Sequence, residues 1–434
     1  MKKHQVWPAW IFLFLLMTAC SSIAPPQAAA PVLADPCAVA LTPLAGNSHL
    51  DGEISRLQQL GKTKRNAGPI VEQLGWTFVA KARVSYDPGF YKLAESAARC
   101  LETTHGRVSE GKLLRGHVLH NLHRFKEAEE LARGLVAARQ GVFDYGLLGD
   151  VLMEQGQLEE ATSAYQKMLD LKPSLQSYSR AAHMRWLKGD LPGALDLMKL
   201  AAAASSPRDS ESAAWTYSRL AMYELQSGHE KAATDALNRA IEFEPGYAPA
   251  LLVRGRMLLA QDATGPALDL LRTAAQANPI PEYLWTLEEA LGAANLPEEQ
   301  QSVRDRLGRS GPETDPRTFA LYLATRHDSP DTALRLAESE LRSRSDVFTL
   351  DALAWAQASA GNFTEAHANI LRALREGTQD ARLFYHGGLI LSKARDKSHA
   401  RELLRRAAHM QKLLLPSERK GLAFELQQFS VDKK

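Results

Sequence analysis

Across residues 69–415 the apolar positions recur three or four apart, the spacing of amphipathic helices, and one stretch of pattern is written over and over. One copy runs Leu148, Gly149 and Leu152, then Gly156 and Leu158, then Ala161, Tyr165, Met168 and Pro173. The spacing predicts two short helices with a turn at Gly156 and a stop at Pro173. A small residue matching Gly149 recurs at Gly75, Gly116, Ala182, Ala221, Gly255, Ala354 and Gly388, with Glu288 and Leu321 as the exceptions. The steps between the ten positions are 41, 33, 33, 39, 34, 33, 33, 33 and 34 residues. Ala161 recurs as Ala94, Ala128, Ala194, Ala233, Ala267, Ala333, Ala366 and Ala400, and Gln300 is the single departure. Asp87, Pro88 and Gly89 account for the first long step, and the loop at Ser205 to Ser212 for the second. Helix stops are expected at Pro173, Pro245, Pro279 and Pro312, and turns at Gly156, Gly189, Gly228 and Gly361.

This pattern resembles the tetratricopeptide repeat. The resemblance implies an all-α, right-handed α-solenoid of about ten helical hairpins. In that repeat, small residues at the eighth and twentieth positions let the paired helices approach, and larger residues fill the space between hairpins. The polar or bulky substitutions at Glu288, Gln300 and Leu321 leave the register of the seventh and eighth hairpins less well defined. Residues 416–434 supply one more amphipathic helix, from Pro416 to Phe429, expected to cover the apolar face of the last hairpin.

The N-terminus is of another kind. Lys2 and Lys3 precede an apolar run from Trp7 to Met17, which ends in Thr18, Ala19, Cys20 and Ser21. Residues 1–19 resemble a bacterial lipoprotein signal peptide, which implies cleavage before Cys20 and lipidation of that cysteine. An uncleaved anchor or an ordinary secretory signal would place the same run differently. Ser21 rather than Asp beside the cysteine implies, by the common sorting rule, the outer membrane facing the periplasm. Residues 20–68 read as a tether rich in Ala, Pro and Ser, with a short helix that Asp51 would cap. Cys37 and Cys100 are then the remaining cysteines, either joined as a disulfide or present as two thiols.

Charge narrows the partners. Without residues 1–19 the chain has 50 basic and 50 acidic side chains, since 52 less Lys2 and Lys3 leaves 50, and no run of Lys and Arg offers a track for phosphates. Nucleic acid is not an expected partner. Hydrolase and transferase signatures and a metal-spaced cysteine cluster are absent from the sequence, so neither an enzyme nor a cofactor is expected.

The resemblance also implies a groove lined by the first helix of each hairpin. Its register puts all five tryptophans beyond residue 19, namely Trp76, Trp186, Trp215, Trp285 and Trp355, on that inner face, joined by Tyr322 and Tyr385. A partly exposed aromatic groove would suit a peptide segment of an envelope protein. Packing of the same indoles between neighbouring helices is the competing expectation. His117 and His120, one helical turn apart, are weaker candidates for a metal site that His183 or Asp150 would have to complete. The expected function is a membrane-tethered adaptor of the cell envelope, with a periplasmic glycan- or metal-binding protein as the alternative. Oligomeric state is open.

Overall fold

The structure is a computed structural model and describes residues 35–431, so the Cys20 expectation lies outside the described residues. Two short helices come first, α1 at Pro36–Ala40 and α2 at His49–Thr63. Ten helical hairpins follow. They are α3 (Gly68–Ser85) with α4 (Gly89–Thr103), α5 (Val108–Asn121) with α6 (Phe125–Arg139), and α7 (Val142–Glu154) with α8 (Leu158–Leu171). Next come α9 (Leu175–Leu187) with α10 (Leu191–Ala203), α11 (Ser210–Gln226) with α12 (Glu230–Phe243), and α13 (Ala248–Ala260) with α14 (Thr264–Ala277). The last four are α15 (Pro281–Ala293) with α16 (Pro297–Thr314), α17 (Pro316–Arg326) with α18 (Pro330–Ser343), α19 (Val347–Ser359) with α20 (Phe363–Leu374), and α21 (Ala381–Lys393) with α22 (Lys397–His409). A final helix, α23, spans Pro416–Val431. Among the described residues there is no strand, and the fold is an all-α solenoid.

The repeated small residues do the work that their spacing predicts. All nine alanines of the Ala161 set are fully buried. A Cβ added at Gly149 would lie 2.3 Å from the Tyr165 ring, one at Gly75 2.3 Å from Leu114, and one at Gly388 2.5 Å from Leu404. The helices are therefore as close as a hydrogen in place of a methyl permits. Gly156, Gly189, Gly228 and Gly361 all have positive φ, as turns between paired helices require. In the seventh hairpin a polar pair replaces the small one. Gln300 Nε2 donates to Glu288 Oε1 at 2.9 Å, and Arg304 and Arg326 neutralise the buried Glu288 carboxylate at 2.6 and 3.4 Å.

Two local expectations need correction. Asp51 does not begin its helix: Ser48 is the cap, and Asp51, three residues on, accepts from the Ser48 backbone in a capping box. Pro312 does not end α16 ahead of itself, because α16 runs on to Thr314. Pro312 sits in the last turn, and Asp315 caps α17 directly afterwards through the Thr318 amide.

The hairpins wind back on themselves, so that the turn of an early hairpin meets a loop about 190 residues later. Ser345 donates through its backbone to Glu154 O at 3.2 Å and through its hydroxyl to Gln155 O at 2.8 Å. The buried Thr378 hydroxyl donates to Leu187 O at 2.6 Å. Gly156 and Gly189 sit so close to this second winding that a Cβ would meet Ser345 O at 2.6 Å and Gly377 O at 2.8 Å. The final helix covers the last hairpin and also reaches further back. Ser417 N donates to Glu289, and Arg419 donates to Leu259 O. At the other end the Cys37 and Cys100 sulfurs are bonded and tie α1 to α4. No described helix is long and apolar enough to cross a membrane.

Candidate functional site

A groove of about 780 Å³ lies on the inner face of the first five hairpins, lined by α3, α5, α7, α9 and α11. Short loops make each first helix the neighbour of the next, so their inner positions form one wall. Trp76, His117, His120, Asp150, Arg180, His183, Trp215 and Arg219 all line it. Its rim carries apolar side chains left to solvent, with Phe143 54% exposed, Val84 49% and Trp215 36%. Arg83 and Glu211 face each other at 3.5 Å across this rim, bringing the first hairpin against the fifth.

The groove floor is electrostatically settled. Asp150 accepts from Arg180 at 2.8 and 2.7 Å and from the Tyr165 hydroxyl at 2.8 Å. Burial works against its charge, but the guanidinium outweighs that and holds the carboxyl below its usual range. His117 and His183 are both pulled down to about 3, first by burial and then by Arg83 and Arg219 respectively. Both are neutral rings near pH 7. His117 lies 5.4 Å from Trp76, and His183 stacks on Trp186 at 5.3 Å.

The proposed metal cluster does not assemble. The His117 and His120 rings are 6.4 Å apart, Asp150 is engaged by Arg180, and neither His120 nitrogen has a hydrogen-bond partner. Among the described residues, the single group of three metal-type ligands within 4.8 Å is Cys37, Cys100 and His105, and its two sulfurs are bonded to each other.

Five of the seven expected groove aromatics are not available to a partner. Trp186 is 2% exposed, and its Nε1 donates to Gln226 Oε1 at 2.8 Å and to Gln379 O at 3.2 Å. Phe348 of α19 stacks on the same indole at 5.7 Å. Trp285 is fully buried beneath Arg382, whose guanidinium carbon lies 4.8 Å from the ring centroid, and meets Tyr322 edge-on at 5.7 Å. Trp355 stacks on His386 at 4.2 Å and donates to Thr325 Oγ1 at 3.0 Å. Tyr322 and Tyr385 are also buried, and the Tyr385 hydroxyl is packed against Gly421 of α23. The reason is geometric: neighbouring first helices and the following winding cover Trp186 in the fourth hairpin and the inner face of the later hairpins. Only Trp76, partly buried, and Trp215 keep the expected access, both in the N-terminal groove. Phe143 and Arg219 share this wall but are missing from the expected set. Phe143 sits at the start of α7, six residues before Gly149 as Trp215 is six before Ala221, so the register itself was the signal that could have found it.

The fold defines the class: a solenoid of paired helices that differ in sequence but share one packing pattern. The family profile described as Tetratricopeptide repeat matches residues 145–175, which cover most of α7 and all of α8. That segment is similar to a tetratricopeptide repeat, and the hairpins on either side of it share its packing of small residues. Repeats of this kind are generally non-enzymatic and bind protein partners. No curated protein matches the chain in sequence. Among solved structures, yeast Tom70 is 12% identical, with 88% of this chain and 96% of that one covered at a TM-score of 0.36. A thermophilic TPR protein of Thermus thermophilus is 20% identical over 41% of this chain and 92% of its own, at 0.35. MamA is 19% identical over 38% and 94%, at 0.31. Overlap at this level carries no functional inference.

Proposed function

We propose that the protein is a membrane-tethered adaptor of the bacterial cell envelope, holding a peptide segment of a partner protein in the groove of its first five hairpins. The observation that supports this is the groove itself, with Trp215, Phe143 and Val84 exposed around a settled polar floor. Exposed aromatics beside a concave wall are what a partner's apolar side chains would cover. A volume of about 780 Å³ suits a few side chains of an extended or helical segment rather than a folded domain. The tether is read from Lys2, Lys3, the apolar run and Cys20, and Ser21 favours the outer membrane facing the periplasm.

Two experiments test the reading separately. Trp215→Ala combined with Phe143→Ser is expected to abolish crosslinking and co-purification of the partner from native membranes, with helical content unchanged. Undiminished capture by this variant would remove the groove from consideration. Trp186→Ala is unsuitable, since loss of a buried indole costs about 3–5 kcal/mol by itself. Cys20→Ser is expected to move the protein from the membrane to the soluble fraction and to end its labelling by palmitate. Retention of the label would refute lipidation at Cys20.

A further inference from the structure

Where the fifth hairpin meets the tenth, a hollow of about 620 Å³ opens between the C-terminal end of α11 and α22. Arg401, Arg405 and Arg406, grouped within about one helical turn, line it together with His409. Glu402 is the sole acidic side chain in its wall. Among the described residues, none of the three guanidiniums is in an ion pair within 4 Å. Arg401 donates to the Phe429 carbonyl at 3.5 Å and lies 5.3 Å from that residue's ring centroid, with its Nε buried and unpartnered, and the Arg406 guanidinium carbon lies 3.9 Å from the Phe384 ring centroid. Burial draws the Arg406 pKa down, and only Glu402 works in the other direction.

Basic residues in the last turn of α22 would by themselves complement the helix terminus. Gln226 adds a second observation that the helix end does not explain. It is 2% exposed, and its Oε1 accepts from Trp186. An indole N–H can only donate, so the amide oxygen must face it, and the NH₂ group is turned the other way. That Nε2 is buried with no partner, on a residue that lines the hollow. An unpaired buried donor costs about 1–3 kcal/mol, a deficit that an acceptor in the hollow would relieve.

The hollow thus has donors on both sides. Three guanidiniums less one carboxylate give a net charge of +2, which matches a phosphate monoester carrying about −1.5 to −2 at neutral pH. Planar guanidiniums recognise phosphate oxygens in pairs. We propose that this hollow is a binding site for a phosphate monoester group, supplied either by a soluble molecule or by a lipid headgroup. The site stands apart from the N-terminal groove and does not depend on what that groove binds. Bridging α11 and α22, the bound anion joins two windings of the solenoid.

The test is calorimetric titration of the full chain with glycerol 1-phosphate and inorganic phosphate at constant ionic strength, beside co-sedimentation with phosphatidic acid vesicles and phosphatidylcholine controls. One-to-one binding of the soluble phosphates, with a raised Tm, is expected, and at least tenfold weakening by Arg405→Glu. Arg405 is exposed, so that substitution leaves the fold alone. Gln226→Glu keeps the acceptor for Trp186 and replaces the unpaired donor with a negative charge, so binding is expected to vanish. Binding only to phosphatidic acid vesicles, with the same loss in Arg405→Glu, assigns the phosphate to a lipid. Flat isotherms together with no vesicle binding overturn the proposal. So does binding that Arg405→Glu leaves unchanged, or acetate binding as tightly as phosphate.

Discussion

A missing methyl decides most of the local packing in this protein. At Gly149 an added Cβ would press on a buried ring, whereas at Gly134, exposed within α6, it would meet nothing within 4 Å. Gly149→Ala is expected to destabilise the chain by about 1–3 kcal/mol through overpacking. Gly134→Ala should instead stabilise it by about 0.5–1 kcal/mol through lower backbone entropy in the unfolded state. Urea denaturation of the two variants measures both, and equal effects would count against this account. The groove histidines make a second prediction. His183 has its pKa depressed to about 3 when folded against an ordinary value near 6.5, so the unfolded chain takes up the proton first as pH falls. Its contribution to stability is complete above pH 6.5 and declines from there toward pH 3. Denaturation midpoints across about pH 7 to 4 should fall less steeply in His183→Gln than in the parent chain.

Among the elements, α23 shows how a terminal helix is held. Glu418, fully buried, accepts from Leu415 N at 2.8 Å at the start of that helix and pairs with Arg382 of α21 at 2.6 Å. Arg382 also faces Glu282 of α15 at 3.5 Å. Burial raises the Glu282 pKa, but Arg256 and Arg382 outweigh it and bring it down to about 2. Arg382→Ala would leave the Glu418 carboxylate buried without a cation, at a cost of about 3–5 kcal/mol. Hydrogen exchange should then show α23 opening first, and unchanged protection there would rule out the role given to Arg382. Little of this is legible in the sequence. The amphipathic pattern of Pro416 to Phe429 announces a covering helix, since covering one apolar face needs only local periodicity. Its reach to Leu259 and Glu289 depends on residues about 130 to 160 positions away.

Across the whole molecule, two kinds of closure operate. The Cys37–Cys100 bond closes a loop of sequence separation 63, for which loop entropy gives about 4 kcal/mol of stabilisation. Contacts in a solenoid are mostly between neighbours, so losing the bond acts first on the nearest hairpins. Cys100→Ser is expected to expose α1 to α4 to limited proteolysis before the later helices, and uniform digestion would contradict this. The second closure is the meeting of windings at Ser345 and Thr378, which bury Trp186 beneath Phe348 and Gln379. Period, hairpin number, turn glycines and the buried alanines followed from the sequence alone, because each requires only that a helix pack on its partner a few residues away. Which aromatics stay open to a partner was decided by tertiary structure. Inner-face positions are exposed at Trp215 and buried at Trp186, Trp285 and Trp355 according to whether another winding or the next first helix lies over them, and helical periodicity carries no information about that distance.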